Sequence, residues 1–384
     1  MSAPGPRTTD GPDEARPDEA GPWPSSDLIA VRTELSRWFE RNARDLPWRT
    51  TRNPWHIWLS EVMLQQTRVD QGLPYFLAFI REWPTVADFA AAKLEYVLRK
   101  WEGLGYYARA RNLHAAARQV VRERDGALPS TYSEWLELPG VGSYTAAAIA
   151  SLAHGEPRAV VDGNVIRVLT RLAGIPEDVT RSATRKHLDD LASRLLDPTR
   201  PGHHNEAMME LGATVCTPRN PRCGDCPVSF ACVGLSEGDP MRYPIKRKKD
   251  RVPHHDIVVA LIRDPEGRYF VQRRPEDAML GGLWEFPGGK RKPGEDLEDA
   301  LRREVREELD TDIEIGQPEP PIQHAYSHFR ITLHAWHCRL TDASRPPRTD
   351  LRSAWSTPSE MEDLPFPRAN RHLTDRLVRK DMTD

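Results

Sequence analysis

Four of the five cysteines fall in one short segment with the pattern C-x6-C-x2-C-x5-C. They are Cys216, Cys223, Cys226 and Cys232. Four thiolates this close in the chain can close around one metal ion or one cluster, and such groups inside cells are more often metal sites than disulfide frameworks. Zinc also accepts four thiolates, but its sites usually pair two C-x2-C knuckles, and this segment has one. The segment is therefore predicted to fold around a zinc or iron–sulfur centre.

The chain before the cysteines has the pattern of a helical domain. From Asp27 to about Leu196, apolar residues recur every three or four positions, interrupted by short Pro and Gly breaks. The first helix is marked by Leu28, Val31, Leu35, Trp38 and Phe39. We predict an all-helical domain over 27–215, the cysteine loop over 216–233, and a polar, disordered tail over 1–26.

The pattern changes after the cysteines. A linker over 234–253 contains the basic run Lys246 to Lys249, which is either a solvated tether or a strap that touches phosphates. Beyond it, residues 257–262, 269–272 and 331–338 have the pattern of strands, and residues 297–309 that of a helix. This indicates a separate α+β domain over 254–384, in which the isolated Cys338 is expected to be a buried, inert thiol.

The composition is that of a globular, cytoplasmic protein. Of 384 residues, 39% are hydrophobic and 29% are charged, and no apolar run reaches the length of a membrane span. The first residues lack the basic start and apolar core of a signal peptide. The net charge of −3 does not by itself suggest nucleic acid, although residues 27–253 carry more basic than acidic side chains.

A turn between two predicted helices suggests a phosphate site. Leu138-Pro139-Gly140-Val141-Gly142 lies between an amphipathic helix over 132–137 and a second helix over 144–153. Proline ends the first helix, and the glycines allow a tight turn that comes close to a partner. Free N–H groups at the start of the second helix can then bind a phosphate. Gly140, Val141 and Gly142 are the predicted contacts.

Two acidic residues have more than one interpretation. Glu61 shares a helix face with Ile57 and Leu64, so it is either an ion-paired or capping residue or a proton donor with a raised pKa. Asp162 follows an apolar stretch and precedes a helix, which is typical of a helix cap. A cap and a catalytic carboxylate are compatible roles.

Several long motifs occur in the same order as in one known family of proteins. They are SEVMLQQT from Ser60, GLGYYARARNLH from Gly103, LPGVG from Leu138, VDGNVIRV from Val161, and the four cysteines. Over about residues 28–232 the chain resembles the MutY-type adenine DNA glycosylases of the endonuclease III, or helix–hairpin–helix, superfamily. The resemblance implies an all-α helix–hairpin–helix glycosylase domain whose cysteines hold a 4Fe–4S cluster.

The resemblance also assigns chemical roles. Cleaving a purine N-glycosidic bond leaves positive charge on the sugar and negative charge on the base, so two groups must act. Glu61 is the implied general acid, and Asp162 the implied stabiliser, or transient nucleophile, of the sugar cation. Tyr144 and Asn164 would orient them. The residues implied to contact the flipped adenine or to wedge in beside the opposite base are Trp48, Arg49, Gln66, Thr67, Leu104 and Tyr106.

The residue type at position 144 distinguishes base removal alone from base removal with strand cleavage. Lyase members of the superfamily carry lysine there, whose amine forms a Schiff base and leads to strand cleavage. Tyr144 cannot form an imine, so base removal with little or no strand cleavage is predicted. Arg219 and Arg222, between the first two cysteines, are predicted to reach DNA phosphates.

The C-terminal domain contains a second motif. From Gly289 the sequence reads G-x5-E-x7-R-E-V-x-E-E, which is similar to the Nudix box. Glu304, Glu307 and Glu308 fall on one helix face, which suits Mg²⁺. Asp310 stands where the box usually has glycine, which puts the usual helix-ending turn in question.

Family resemblance implies a role for this domain. MutY-type enzymes carry a Nudix-like domain that recognises 8-oxoguanine, through a loop resembling Tyr326-Ser327-His328. Ser327 and His328 are the implied contacts. The box acids are either a relic, which the family pattern favours, or they hydrolyse a nucleoside diphosphate derivative such as an oxidised dGTP with Mg²⁺.

The sequence therefore predicts a monomeric adenine DNA glycosylase, working on the nucleoid of a bacterial cell. Its partner would be double-stranded DNA with adenine opposite 8-oxoguanine or guanine. Three other classes compete with this prediction. An endonuclease III-like lyase is disfavoured by Tyr144, a DNA-tethered Nudix hydrolase by the pair Glu61 and Asp162, and a zinc-braced binding module by the cysteine spacing.

Overall fold

The structure, a computed structural model, describes residues 23–247, 252–276, 278–326, 329–342 and 344–381. The chain divides into two compact units. The first comprises residues up to 57, 129–137 and 141–247, and the second comprises 58–128, 138–140 and 248 onward. The predicted 27–215 domain is thus shared between the units, because residues 58–128 pack with the C-terminal region. Lys248 and Lys249 of the predicted basic linker lie outside the described residues.

The helices follow the predicted periodicity. In chain order they are α1 (Ser25–Asn42), α2 (Pro54–Leu64), α3 (Val69–Glu82), α4 (Val86–Ala91), α5 (Leu94–Lys100), α6 (Ala108–Arg124), α7 (Tyr132–Leu136), α8 (Ser143–His154), α9 (Gly163–Ala173), α10 (Ser182–Leu195), α11 (Pro201–Thr214), α12 (Val233–Ser236), α13 (Leu297–Leu309) and α14 (Arg368–Asp381). The predicted helical character of the region before the cysteines is confirmed. Among the described residues, no helix combines the length and apolar character needed to pass through a membrane.

The predicted N-terminal tail over 1–26 overlaps the described structure by four residues, 23–26. Helix α1 begins at Ser25, inside the segment 1–26 assigned to the tail. Trp23 is buried, and its indole N–H donates to the carbonyl of Ala231 at 3.2 Å. Because the indole packs into the core of the first unit, it anchors the start of α1.

Helix α9 lies in the core of the first unit. Its residues from Val165 to Leu172 are all buried, and α11 packs directly on it. Gly212 of α11 makes this approach possible, since a Cβ atom there would lie 2.6 Å from Cβ of Asn164. The close packing sets the position of Asp162 and Asn164 relative to α11.

In the second unit, helices of residues 58–128 are joined to the C-terminal region by partly buried polar contacts. Arg371 of α14 donates to both carboxylate oxygens of Glu102, at 2.6 and 2.9 Å. The indole of the buried Trp284 donates to Glu95 at 2.6 Å, and Arg111 donates to the carbonyl of Gly281 at 2.6 Å. We call the Glu102–Arg371 pair the latch.

The C-terminal region has the predicted α+β character. Its strands are β1 (His254–Ile262), β2 (Tyr269–Arg273), β3 (Trp284–Glu285), β4 (Gly288–Lys290), β5 (Ile313–Pro318), β6 (Ile322–Ala325), β7 (Arg330–Leu340) and β8 (Ser353–Ser356). One sheet has the order β4-β1-β7-β5, with β6 also paired to β7, and the other has the order β3-β2-β8. Strands β1 and β7 are parallel. Helix α13 has the predicted bounds and packs on β1, β4 and β5.

Candidate functional site

Asp162 is fixed at the first turn of α9. Its carboxylate accepts hydrogen bonds from the backbone N–H groups of Asn164 and Val165, at 2.9 and 2.7 Å, and from the Asn164 amide at 2.9 Å. Burial raises the pKa of Asp162, while these hydrogen bonds act in the opposite direction. The segment before it is held by Asn205, which accepts from the N–H of Val160 and donates to the carbonyl of Arg158.

Arg167 connects the Asp162 site to the cysteine loop. It donates to the side-chain oxygen of Asn164 at 2.8 Å and to the carbonyls of Gly212 and Cys216, both at 2.7 Å. The side chain is largely buried, so its hydrogen bonds are poorly screened by water. Asn164 is therefore held between Asp162 and Arg167, and its amide cannot turn without breaking one of these bonds.

The four predicted cysteine ligands line a single cavity. Arg171 also lines it, and its guanidinium lies 3.4 Å from Sγ of Cys216 while donating to the carbonyl of Thr217. Burial raises the pKa of Cys226 to about 12, and metal coordination removes such a thiol proton outright. In the described part of the chain, no three His, Cys, Asp or Glu side chains converge on one point as ligands of a single ion do. A ring of thiols around a space, with a cation beside it, fits an anionic iron–sulfur cluster.

Arg49, predicted to line the adenine pocket, belongs to a buried ion-pair network. It donates to Glu210 at 2.8 Å and lies 3.4 Å from Glu206. Arg44 makes two further bonds to Glu210, at 2.7 and 2.9 Å, and the Glu210 side chain is fully buried. The neighbouring Trp48 is 8% exposed. The sequence analysis missed Glu206 and Glu210, whose carboxylates are what hold Arg49 in place.

Glu61 lies on the last turns of α2 and is 8% exposed. It belongs to the second unit, so its approach to Asp162 remains a prediction. Gln66 and Tyr106, the predicted wedge residues, both have positive φ, at 57° and 48°. Leu104 is buried, and Thr67 bonds to Arg109.

The segment over 132–154 forms two helices joined by a short turn, as the helix–hairpin–helix prediction requires. Helix α7 ends at Leu136 and α8 begins at Ser143, with Gly142 as its N-cap residue. Gly140 has φ +74°, and a Cβ atom there would lie 2.4 Å from Cβ of Asn112. Only glycine fits this position without strain.

Tyr144 is on the first turn of α8, partly buried. Its hydroxyl lies 3.8 Å from Sδ of Met209. With Arg158 and Val161 it lines a cavity of the first unit. Val161 is the residue before Asp162 in the chain, and the role of Tyr144 in orienting that carboxylate stays a prediction.

The Nudix-like box is a network of ion pairs. Arg303 bonds to Glu295 at 2.7 and 2.9 Å, to Glu304 at 2.7 Å and to Glu307 at 3.2 Å. Glu308 instead accepts from the N–H of Gly288 and from Gln272, and burial raises its pKa to about 7. Two of the three predicted Mg²⁺ ligands, Glu304 and Glu307, thus share Arg303 as a partner, whereas Glu308 has partners of its own.

Asp310 preserves the end of α13. It takes the left-handed conformation, with φ 49° and ψ 40°, and its N–H donates to the carbonyl of Arg306. Aspartate tolerates this conformation better than most residues. The question raised by the missing glycine is therefore answered: the helix-ending turn keeps its form.

The predicted recognition loop is described only at its ends. Tyr326 stacks on Phe329, with ring centroids 4.8 Å apart, and its N–H donates to the Phe329 carbonyl. Ser327 and His328 lie outside the described residues. Tyr326 lines a cavity together with Glu304 and Glu308.

Families of known proteins match successive parts of the chain. Residues 59–194 match the HhH-GPD superfamily of base excision DNA repair proteins, residues 216–232 the iron–sulfur binding domain of endonuclease III, and residues 258–376 the NUDIX domain. The adenine DNA glycosylase of Rattus norvegicus is 37% identical over 399 residues, covering 88% of this chain and 76% of the relative. The chain belongs to the adenine DNA glycosylase family.

Other members and a solved structure agree with this assignment. The adenine DNA glycosylase of Buchnera aphidicola subsp. Acyrthosiphon pisum is 30% identical over 343 residues, covering 88% of this chain and 95% of the relative. The structure of a thermostable thymine-DNA glycosylase is 28% identical and superposes with a TM-score of 0.50, over 55% of this chain and 98% of that one. The predicted fold class, enzyme class and iron–sulfur loop are confirmed.

Proposed function

We propose that this member of the adenine DNA glycosylase family removes adenine opposite 8-oxoguanine or guanine in DNA, as a monomer. The reaction is hydrolysis of the N-glycosidic bond of a flipped nucleotide. The observation that carries the proposal is the partly buried carboxylate of Asp162, held by three hydrogen bonds at the start of α9. A negative charge fixed in advance stabilises the cationic sugar without reorganisation during the reaction.

Glu61 supplies the proton in this proposal. It lies on α2 between Ser60 and Val62, all three buried, so little water reaches the carboxyl. A sheltered carboxyl can give its proton directly to the imidazole-side ring nitrogen of adenine, which makes the base a better leaving group. The pocket for that base is assigned to Trp48 and to Arg49, which Glu210 holds.

The enzyme is expected to remove the base without cutting the strand. Incubation with a duplex holding adenine opposite 8-oxoguanine should give strand breaks only after alkali, since Tyr144 offers no amine. Borohydride should trap no covalent DNA adduct with the wild type or with Tyr144→Phe. Tyr144→Lys is the matched positive control, because a lysine there can form the imine. High-yield trapping with the wild type would contradict the assignment.

Recognition of 8-oxoguanine is assigned to the loop of Tyr326, Ser327 and His328. Tyr326 and Phe329, which stack on each other, flank Ser327 and His328 in the chain, and the side chains of Ser327 and His328 are the proposed hydrogen-bonding partners of the modified purine edge. This domain, through the latch, belongs to the same unit as the proposed wedge residues.

Hydrolysis of an oxidised nucleoside triphosphate is the second candidate function, favoured by the complete set of box charges and the preserved turn at Asp310. We expect the box to be a relic, as the family pattern favours, with Arg303 paired to two of its acids. Full-length protein given oxidised dGTP and Mg²⁺ should release no more pyrophosphate than Glu304→Gln. Release that requires Mg²⁺ and is lost in that variant would establish the second function.

The cysteine loop is proposed to contact DNA through Arg219 and Arg222, both exposed. Changing both to glutamate should weaken binding to all sequences alike and reduce the salt slope by about 2, since each phosphate contact contributes about 0.9. Binding would be measured by fluorescence anisotropy over a salt series. Arg37→Glu on the exposed face of α1 is the control. An unchanged slope in the double variant would remove these contacts from the proposal.

A further inference from the structure

The two proposed wedge residues have an unfavourable backbone conformation. Gln66 follows the end of α2, and Tyr106 precedes the start of α6. Both have φ in the left-handed region, which residues with a side chain rarely adopt. Such conformations persist only where surrounding contacts hold them, and they concentrate at functional sites.

One partly buried side chain, Arg109, contacts the first of these loops. Its Nη1 donates to the carbonyls of Val62, Met63 and Gln65, at 2.8, 2.9 and 2.6 Å. Carbonyls at a helix C-terminus lack partners within the helix and attract a positive charge. Arg109 thereby closes the end of α2 just before Gln66.

The same guanidinium contacts the second loop. Its Nη2 donates to the carbonyls of Leu104 and Gly105, at 3.1 and 3.2 Å, and to the hydroxyl of Thr67 at 3.3 Å. Its carbon atom also lies 5.6 Å from the ring centroid of Tyr106, and 5.3 Å from that of Trp101. One planar cation therefore joins both turns and faces the ring of one wedge residue.

We infer that Arg109 is a positioning residue that presets the Gln66 and Tyr106 loops in the shape that enters the duplex. The inference rests on the wedge roles proposed above. Lysine cannot replace this arginine, since an ammonium group lacks the planar fork that reaches both sets of carbonyls. The two loops then have their wedge conformation before DNA binds, so they do not need to become ordered during base flipping.

The test measures base flipping directly. Full-length protein binds a duplex with 2-aminopurine opposite 8-oxoguanine, whose fluorescence rises when the base leaves the stack. Arg109→Lys should remove most of this rise and lower single-turnover adenine excision roughly 100-fold, the scale of a small misplacement remote from the chemistry. The pH profile of the remaining excision should stay unchanged, because the catalytic acid is untouched. A wild-type rate and a wild-type rise would overturn the inference.

A double-mutant cycle separates positioning from general stability. With Gln66→Ala and Tyr106→Ala both present, Arg109→Lys should lower the rate by less than about threefold more, since all three act through one element. Equal losses with and without the two wedge side chains would mean a purely structural role and would overturn the inference. Arg32 likewise bonds backbone carbonyls, those of Arg194 and Leu195. Arg32→Lys is therefore the control, and it should give the normal fluorescence rise.

Three single variants keep the test decisive. If Arg109→Lys does not fold, Trp101→Phe removes the indole bond to the Gly105 carbonyl, 3.1 Å long, and should reduce the fluorescence rise in the same direction. A full rise there would contradict the inference. Gln66→Ala and Tyr106→Ala test the wedge itself. A normal fluorescence rise in both Gln66→Ala and Tyr106→Ala would refute the proposed wedge. A rise that is lost in both of these variants but normal in Arg109→Lys would refute only the role of Arg109.

Discussion

Replacing Glu61 with glutamine is expected to lower single-turnover adenine excision roughly 10²–10⁴-fold, the range for loss of a general acid. Glutamine has nearly the same shape and fits the same buried position, but it has no acidic proton to donate. Binding of the duplex with adenine opposite 8-oxoguanine should be retained. Excision would be followed by alkaline cleavage of a labelled strand, with binding measured separately at equilibrium.

Asp162→Asn should show the same separation of binding from chemistry. Removing the fixed negative charge is expected to cost roughly 10²–10³-fold, as for other preorganised electrostatic groups. Asparagine is as good a helix cap as aspartate, so α9 should remain intact. Asp296→Asn, at the cap of α13, repeats the change at a helix to which no role in base excision is assigned, and this variant should excise adenine normally. Near-normal turnover in either Glu61→Gln or Asp162→Asn would refute the assignment of that residue.

Glu210→Gln is expected to cause the largest loss of stability. Two arginines, Arg44 and Arg49, bond to this fully buried carboxylate, and breaking a buried pair typically costs about 3–5 kcal/mol of unfolding free energy. Denaturant unfolding, followed by circular dichroism, would measure the shift in midpoint. Adenine excision should fall as well, because Arg49 loses its main partner. The surface pair of Arg37 and Glu34 provides the control, since Glu34→Gln should cost about 0–1 kcal/mol.

The stability lost in Glu210→Gln should depend on pH. Burial acts to raise the pKa of Glu210, but the hydrogen bonds from Arg44 and Arg49 outweigh it and hold the pKa below its usual value. Its contribution is therefore fully present above the unfolded-state value of about 4.3 and is lost as the pH falls through the lower, folded-state value. The difference between wild type and variant should be constant from pH 8 to 6 and narrow below about 4.3. A difference that grows in acid would contradict the ion-pair account.

Local sequence signals predicted the parts of the molecule that local physics determines. Periodicity and end signals gave α13 its bounds, and apolar runs located β1 and β7. The cap position of Asp162 followed from an aspartate before a helix, and the cysteine spacing indicated a cluster. In each case the deciding interactions lie within a few residues of one another.

The contacts that hold the site together were not predictable in this way. Arg109, Arg167 and Glu210 each look like ordinary charged residues on a helix, and each bonds mainly to groups from distant parts of the chain. Their role depends on packing, such as the approach of α11 to α9 that Gly212 allows. Local patterns in a single sequence do not reveal which backbone carbonyls will surround a buried guanidinium.

The latch makes the stability of the helices of residues 58–128 depend on α14. A protein cut short before Arg371 would leave the carboxylate of Glu102, now 12% exposed, without its closer counter-charge and with only Arg99 at 3.4 Å. Deleting the C-terminal region should therefore destabilise the helices of residues 58–128, the segment that carries Glu61. Premature stop codons after residue 253 should act mainly by lowering the amount of folded enzyme.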